Sequence, residues 1–498
     1  MLVPGPRRGE TNQLMVRPTL TPTRAKHYRR TGGPWDVPPL DEVLGRPTPA
    51  AVVVDGAARL SGTELESQVA TLAGALRRAG VRRRDVVAWQ LPNIVEAVLL
   101  YRACWRLGAV ATPIHHHAGP AEVGRMLDAV DARMFFADRT EVARLPAAAG
   151  GEVRVNAGEP SDVAVVLFTS GSTGEPKAVL HTQRGLAYKA RLMARVHGLH
   201  KGDAVLMPAP LAHISGLLNG VLLPGASGMR SVLMARWEPD HALELIESER
   251  ISFMIGPPTF FVGLMGASTF GPARVHSLRL VSSGGAGVTP AFVQEAGQAL
   301  ACRVKRTYGS TEAPTVTTST TTDKEERARN TDGRPVGEVE VKLGAGGELL
   351  VRGPELFVGY ADAAQTRAAI ARGGWFRTGD QATIDRDGWV TIVGRLKDVV
   401  IRAGENISVA EVEAVLESHP AVRQAVAVGV PDPRLGERLA AFVVARRPFD
   451  LDACRRWFEK SGVARFKTPE QVFMVDHIPT LAAGKPDRAR LKTEAARG

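Results

Sequence analysis

The sequence predicts an α/β protein with a large N-terminal domain of stacked α/β subdomains and a small, mobile α+β domain at the C-terminus. Three observations carry that expectation. Short apolar runs alternate with amphipathic segments from about residue 50 onward. The alternation continues for too long to fit one simple sheet. Near Gly394 it gives way to a shorter stretch of mixed helix and strand, of the length of a small domain.

The elements follow in order. Residues 1–34 hold seven Lys/Arg and one acid, Glu10, and so supply +6 of the formal net charge of +11. This Pro/Thr-rich stretch is expected to be a solvated, flexible leader. Runs at 86–89, 163–168, 204–207 and 278–281 read as buried strands, and segments 67–79, 239–249 and 290–300 as helices. The large domain is placed at 35–394 and the small one at 395–498, with the entry Gly394-Arg395-Leu396-Lys397-Asp398 as its hinge. Ser408 and Glu411 form a capping-box pattern ahead of apolar Val412, Val415 and Leu416. Strands at 425–430 and 439–444, a helix at 451–460 and a last strand at 472–475 complete the reading.

Composition excludes several classes. The 44% apolar content is ordinary for a globular chain of 498 residues, and no apolar run is long enough to cross a membrane. Cys104, Cys302 and Cys454 lie far apart without ligand spacing, which suits a reducing cytoplasm. Aromatic residues are only 5% and no basic face interleaves with them, so nucleic acid is not expected as a partner. His115-His116-His117 follows an apolar run and reads as a loop. Three adjacent side chains cannot all face one ion, so no metal site is expected there.

Thr169-Ser170-Gly171-Ser172-Thr173-Gly174-Glu175-Pro176-Lys177 follows the run 163–168 directly. Glycines let backbone N–H groups approach an anion, hydroxyls add donors and Lys177 adds a positive charge. The stretch reads as a phosphate cradle. It is not a Walker loop: four residues past Gly171 stands Pro176. Pro176 delays the next helix, which is expected near Thr182 with Leu186, Ala190 and Met193 on one face.

This loop resembles the signature of the adenylate-forming superfamily, which includes acyl-CoA synthetases, luciferases and peptide-synthetase adenylation domains. Tyr308-Gly309-Ser310-Thr311-Glu312, Trp375–Asp380, Arg395 and the Gly484-Lys485 pair resemble its later motifs, in the family's order over nearly all of residues 40–495. The resemblance implies an ATP-dependent acyl-CoA synthetase using ATP, Mg²⁺ and coenzyme A. Thr169, Ser170, Gly171, Ser172 and Gly174 would cradle phosphate, Tyr308 would pack on adenine, and Thr311 would meet the α-phosphate. Asp380 and Arg395 would reach the ribose. Thr173 and Glu312 would hold the magnesium. Lys485 would be the catalytic cation, helped by Lys177 and Thr173. His213 would stand at the mouth of the acyl tunnel, which Gly216, Gly256, Gly284 and Gly285 would line, leaving room for a bulky acid. The small domain would turn about Lys397 between two half-reactions, bringing Gly404 and its loop to the pantetheine tunnel.

Segments 208–217 and 237–261 look most like those of ligases for alicyclic acids, such as cyclohexanecarboxylate, and for short- or medium-chain fatty acids. A terpenoid acid fits the same expectation. Three alternatives stay open at this point. One is a ligase that loads a carrier protein. Another is a chain that runs only one half-reaction, with a partner enzyme supplying or consuming the adenylate. The third is a non-catalytic nucleotide-binding or basic scaffold protein.

Overall fold

The computed structural model describes residues 14, 20–45, 48–145, 158–170, 176–285, 287–396, 399–402, 405–481 and 484–497. Two α/β layers form most of the large domain. A nine-stranded sheet runs, in spatial order, Arg334–Pro335, Thr317–Thr318, Arg303–Tyr308, Leu280–Gly284, Phe253–Gly256, Ala204–Met207, Arg230–Leu233, Ala51–Asp55 and Ala58–Ser61. Its six central strands are parallel and its edges antiparallel. A second sheet of five strands runs Met134–Phe136, Val86–Trp89, Val110–Pro113, Val163–Ser170 and Pro176–Thr182. Helices Gly62–Arg78, Val95–Leu107 and Gln183–His197 lie in the shared core, where Leu76, Leu100, Trp105, Ala187 and Met193 are wholly or almost wholly buried. Burial on this scale is what holds the layers together.

Expected strands at 86–89 and 204–207 coincide with the observed ones, and the helix at 451–460 is Leu451–Lys460. The strand expected at 278–281 is Leu280–Gly284, carried three residues past its apolar run, with Ser282 and Ser283 buried in the ladder. The helix expected at 67–79 starts earlier, at Gly62. A true capping box sits there, with the Glu64 N–H donating to Ser61 Oγ at 3.1 Å and the Ser61 N–H donating to Glu64 Oε2 at 2.8 Å.

A third sheet was not foreseen. Glu340–Leu343, Glu348–Arg352, Trp375–Ile384, Ile370–Ala371 and Val390–Arg395 pair antiparallel throughout. Its strands Glu340–Leu343 and Trp375–Ile384 are partly exposed and broken by charged and polar residues, and buried Glu348–Arg352 carries only three apolar residues in a row.

The basic leader is corrected over its second half. Pro22–Tyr28 is a helix, Tyr28 is fully buried, and Arg24 pairs with Glu340 at 2.8 Å and Arg30 with Glu338 at 2.8 Å. Opposite charge on the third sheet and the aromatic pair Tyr28–Trp35 dock the segment. Residues 1–13 and 15–19 lie outside the described residues.

The last sheet runs Glu405–Ser408, Val399–Arg402, Gly436–Ala445 and Val422–Asp432, with Gln471–Met474 parallel to Gly436–Ala445. Helix Val409–Glu417 packs on it, but the expected capping box is absent. Ser408 Oγ instead donates to Val393 O at 2.9 Å, and Glu411 pairs with Lys467 at 2.5 Å. Both groups have found tertiary partners. The small domain rests on the large one through Thr289 Oγ1, which donates to Glu417 Oε2 at 2.9 Å, and Arg423, which donates to Val262 O at 2.5 Å. Arg446 also pairs with Glu295. Lys397, the expected hinge, lies outside the described residues. Among the described residues no helix is long and apolar enough to cross a membrane.

Candidate active site

Strands Val163–Ser170 and Pro176–Thr182 pair antiparallel. Thr169 stands opposite Lys177 and Ser170 opposite Pro176. A strand, Pro176–Thr182, therefore separates the bend from helix Gln183–His197, whose N-cap is Thr182. This is the delay expected from Pro176. The bend itself, with Gly171, Ser172, Thr173 and Gly174, lies outside the described residues, as does Gly404.

The second of these strands is tied to Tyr360 by a bridge at Val179, and Lys177 Nζ stands 5.2 Å above the Tyr360 ring. Tyr360 Oη donates to Glu312 Oε1 at 2.7 Å. Burial, then the neighbouring Glu312 carboxylate, holds the phenol above its ordinary range, so it stays a donor. His181, pushed down to about 4 by burial, is neutral and donates through Nε2 to Thr311 O at 2.7 Å. That strand thus fixes the loop that carries Thr311 and Glu312. No spacing pattern in the sequence singled out Tyr360 or His181.

Asp380 and Arg395 face each other in register on strands Trp375–Ile384 and Val390–Arg395. Asp380 Oδ1 accepts from Arg395 Nε at 2.9 Å, and Oδ2 accepts from Tyr308 Oη at 2.7 Å. The Asp380 side chain is 7% exposed and that of Arg395 is 61% exposed. The buried carboxylate is thus the fixed group and the arginine the adjustable one. A carboxylate held this way can also accept from a vicinal diol.

Lys485 enters this cleft from the small domain. Its turn is closed by the Thr480–Pro486 bridge and by the Leu481 N–H donating to Lys485 O at 2.7 Å. Thr259 Oγ1 of the large domain donates to Gly484 O at 2.5 Å. Gly484 has φ +76°, and a Cβ there would stand 2.7 Å from Phe260, so only glycine fits the turn. Lys485 Cε lies 3.6 Å from where a Gly285 Cβ would be. The ammonium is held below the ordinary lysine range by the protein around it and then by Arg395, while Asp380 and Glu312 pull the other way. Lys485 as a whole remains exposed to solvent.

His213 follows the buried segment 204–212 and is pushed down to about 4, first by burial and then by Lys485. The glycines receive a different reason from the one expected. A Cβ on Gly216 would meet Pro210 O at 2.0 Å, and one on Gly284 would meet Thr307 O at 2.3 Å. A Cβ on Gly256 would meet Phe260 at 2.6 Å. Close packing of backbone and ring therefore excludes a side chain there, and these glycines open no space along their Cβ directions. Gly285, at φ +79°, leaves room for Lys485.

Residues 41–361 match the AMP-binding enzyme family, and residues 411–485 match the C-terminal domain of AMP-binding enzymes. The chain belongs to the AMP-binding enzyme family.

Two similar relatives are ligases. The chain is 30% identical to the medium-chain fatty-acid–CoA ligase of Escherichia coli (strain K12), over 98% of this chain and 95% of that one. It is 34% identical to the 3-[(3aS,4S,7aS)-7a-methyl-1,5-dioxo-octahydro-1H-inden-4-yl]propanoyl:CoA ligase of Mycobacterium tuberculosis, over 87% and 94%. Among solved structures, the amide bond synthetase McbA from Marinactinospora thermotolerans superposes with a TM-score of 0.81 at 28% identity, covering 92% of this chain and 99% of that one. The chain is thus an AMP-binding enzyme whose curated relatives include acyl-CoA ligases along nearly its whole length. Of the residues expected at a site, the structure links Lys177 to Glu312 through Tyr360, joins Tyr308 and Arg395 to Asp380, and sets Lys485 beside Gly285 and within the influence of Asp380, Glu312 and Arg395, with His213 feeling Lys485.

Proposed function

We propose that this AMP-binding enzyme activates an apolar acid, alicyclic, terpenoid or of short to medium chain, as its acyl adenylate and passes it to coenzyme A on the same chain. The observation that carries the reading is Lys485 of the small domain, set beside Gly285 and within the influence of Asp380, Glu312 and Arg395.

The chemistry is a meeting of anions. An acid carboxylate attacks the α-phosphate of ATP in line and pyrophosphate leaves. Lys485 offers its ammonium where charge builds up, and a preorganised donor of that kind typically contributes about 10²–10³ in rate. Lys177 adds charge at the phosphate bend, held over Tyr360. Asp380, with Tyr308 and Arg395, positions the ribose. Glu312 is a hard oxygen donor pinned by Tyr360, which fits a magnesium ion; with Thr173 it would hold one, and the bound ion would neutralise phosphate charge.

The acid end of the cleft supports an apolar substrate. Trp237 stacks on Phe260 at 4.6 Å, and Phe260 lies against the Gly484-Lys485 turn. CoA transfer requires a different neighbour for the adenylate. We infer that the small domain turns about Lys397, withdrawing Lys485 and presenting Gly404-Glu405-Asn406. A panel of alicyclic, terpenoid and straight-chain acids, scored for both pyrophosphate and acyl-CoA, tests this. Pyrophosphate without acyl-CoA would reduce the chain to one half-reaction, and no pyrophosphate from any acid would contradict the proposal.

A further inference from the structure

His115, His116 and His117 take no part in the mechanism above, yet they stand beside it. They follow strand Val110–Pro113, which pairs with strand Val163–Ser170 at Ala111 and Val165. The His115 ring lies 4.6 Å from that of His116 and 5.2 Å from that of His213. Among the described residues no group of three His, Cys, Asp or Glu is placed to hold a metal ion.

The hydrogen bonding of His115 fixes its state. The His117 backbone N–H donates to His115 Nδ1 at 3.1 Å. A backbone N–H can only donate, so Nδ1 carries no proton and the neutral ring must carry it on Nε2. Burial and the surrounding histidines agree, pushing His115 down to about 3. Yet Nε2 is buried and has no hydrogen-bond partner among the described residues. A buried N–H without an acceptor is costly, and such a group in a native site calls for a reason. Its neighbour His213 feels Lys485, whereas the charges bearing on His115 are other histidines. The orphan donor belongs to the ring packed beside His213, the histidine that feels Lys485.

We propose that His115 is a specificity-determining residue whose Nε2–H donates to an acceptor oxygen on the acid, a keto or hydroxyl group beyond the reacting carboxylate. Among the largely apolar alicyclic and terpenoid acids proposed above, the preferred one then carries a single such oxygen on its apolar frame. This inference rests on the ligase reading given above.

The test compares cyclohexanecarboxylate with its 3-oxo, 4-oxo and hydroxy analogues in the pyrophosphate-release assay. Wild type should favour at least one oxygenated acid about three- to tenfold in kcat/KM, the worth of one net hydrogen bond. His115→Phe should erase that preference while leaving the plain acid and the KM for ATP within about twofold, and His115→Gln should restore part of it. His115→Met reads the same quantity should the Phe variant fail to fold. Turnover of every acid without preference, equal losses for plain and oxygenated acids, or a raised KM for ATP alone would each overturn the role of His115 and leave the ligase reading standing. Absence of pyrophosphate from any acid would sink both.

Discussion

Tyr360 donates its hydroxyl to Glu312 across 2.7 Å while its ring lies under the Lys177 ammonium. One side chain therefore positions both Lys177 and Glu312. Tyr360→Phe keeps the ring but frees Glu312. A hydrogen bond to a charged group contributes about 1.5–3 kcal/mol, so kcat/KM for ATP is expected to fall about tenfold or more at limiting Mg²⁺. The loss should shrink as Mg²⁺ is raised. A Mg²⁺ titration of wild type and variant checks this, and parallel curves would separate Tyr360 from the metal.

Asp380 and Arg395 differ in exposure, and that difference predicts unequal effects. Asp380→Ala leaves Tyr308 Oη without its acceptor in a buried corner and removes the diol acceptor. The KM for ATP should rise about tenfold or more. Arg395→Ala removes an exposed partner, and exposed pairs contribute about 1 kcal/mol or less, so melting should shift little. Isothermal titration with ATP analogues would measure both. Equal weakening by the two variants would contradict the assignment.

Glu417 links the domains and titrates near neutrality. It is pushed up to about 7, first by burial, with the Ala425 N–H and the Thr289 hydroxyl working against the shift. In the docked pose its pKa lies above the ordinary carboxylate range, so docking favours the protonated form. That preference is fully present below the ordinary value of 4.5 and is lost progressively as pH rises from there to about 7. Adenylation should therefore weaken relative to CoA transfer as pH rises from about 4.5 to about 7 and level off above it, and Glu417→Gln should flatten the dependence. Single-turnover rates of the two half-reactions across that range provide the check.

The lattice of strands and the order of motifs were legible because apolar runs and glycine-rich bends leave marks in a linear text. Val86–Trp89 and Ala204–Met207 are buried on both faces and read as continuous apolar runs. The third sheet left no such mark, since residues such as Arg377 and Thr383 alternate with its buried ones. Ser408 and Glu411 had the right spacing for a cap, but Val393 and Lys467 compete for them from distant sequence. Gly216 and Gly284 were legible as special positions, but the close approach of Pro210 O and Thr307 O that excludes a side chain there arises only in the folded chain.

Lys189 and Glu355 form a pair at 3.0 Å with side chains 1% and 0% exposed, under the loop that carries Glu312. Lys189 Nζ also donates to Thr315 O at 2.8 Å. Lys189→Met would leave a buried carboxylate unpaired, at a cost of about 3–5 kcal/mol. Urea unfolding should show that loss. Lys189→Met with Glu355→Gln should recover part of it.

The most direct measurement separates the two half-reactions in Lys485→Ala. The cleft geometry predicts that acyl-AMP formation, followed as pyrophosphate release, falls by about 10² or more. Transfer from supplied acyl-AMP to coenzyme A should stay within a few-fold of wild type. Equal loss of both steps, or adenylation at the wild-type rate, would contradict the claim that this lysine serves the first step alone.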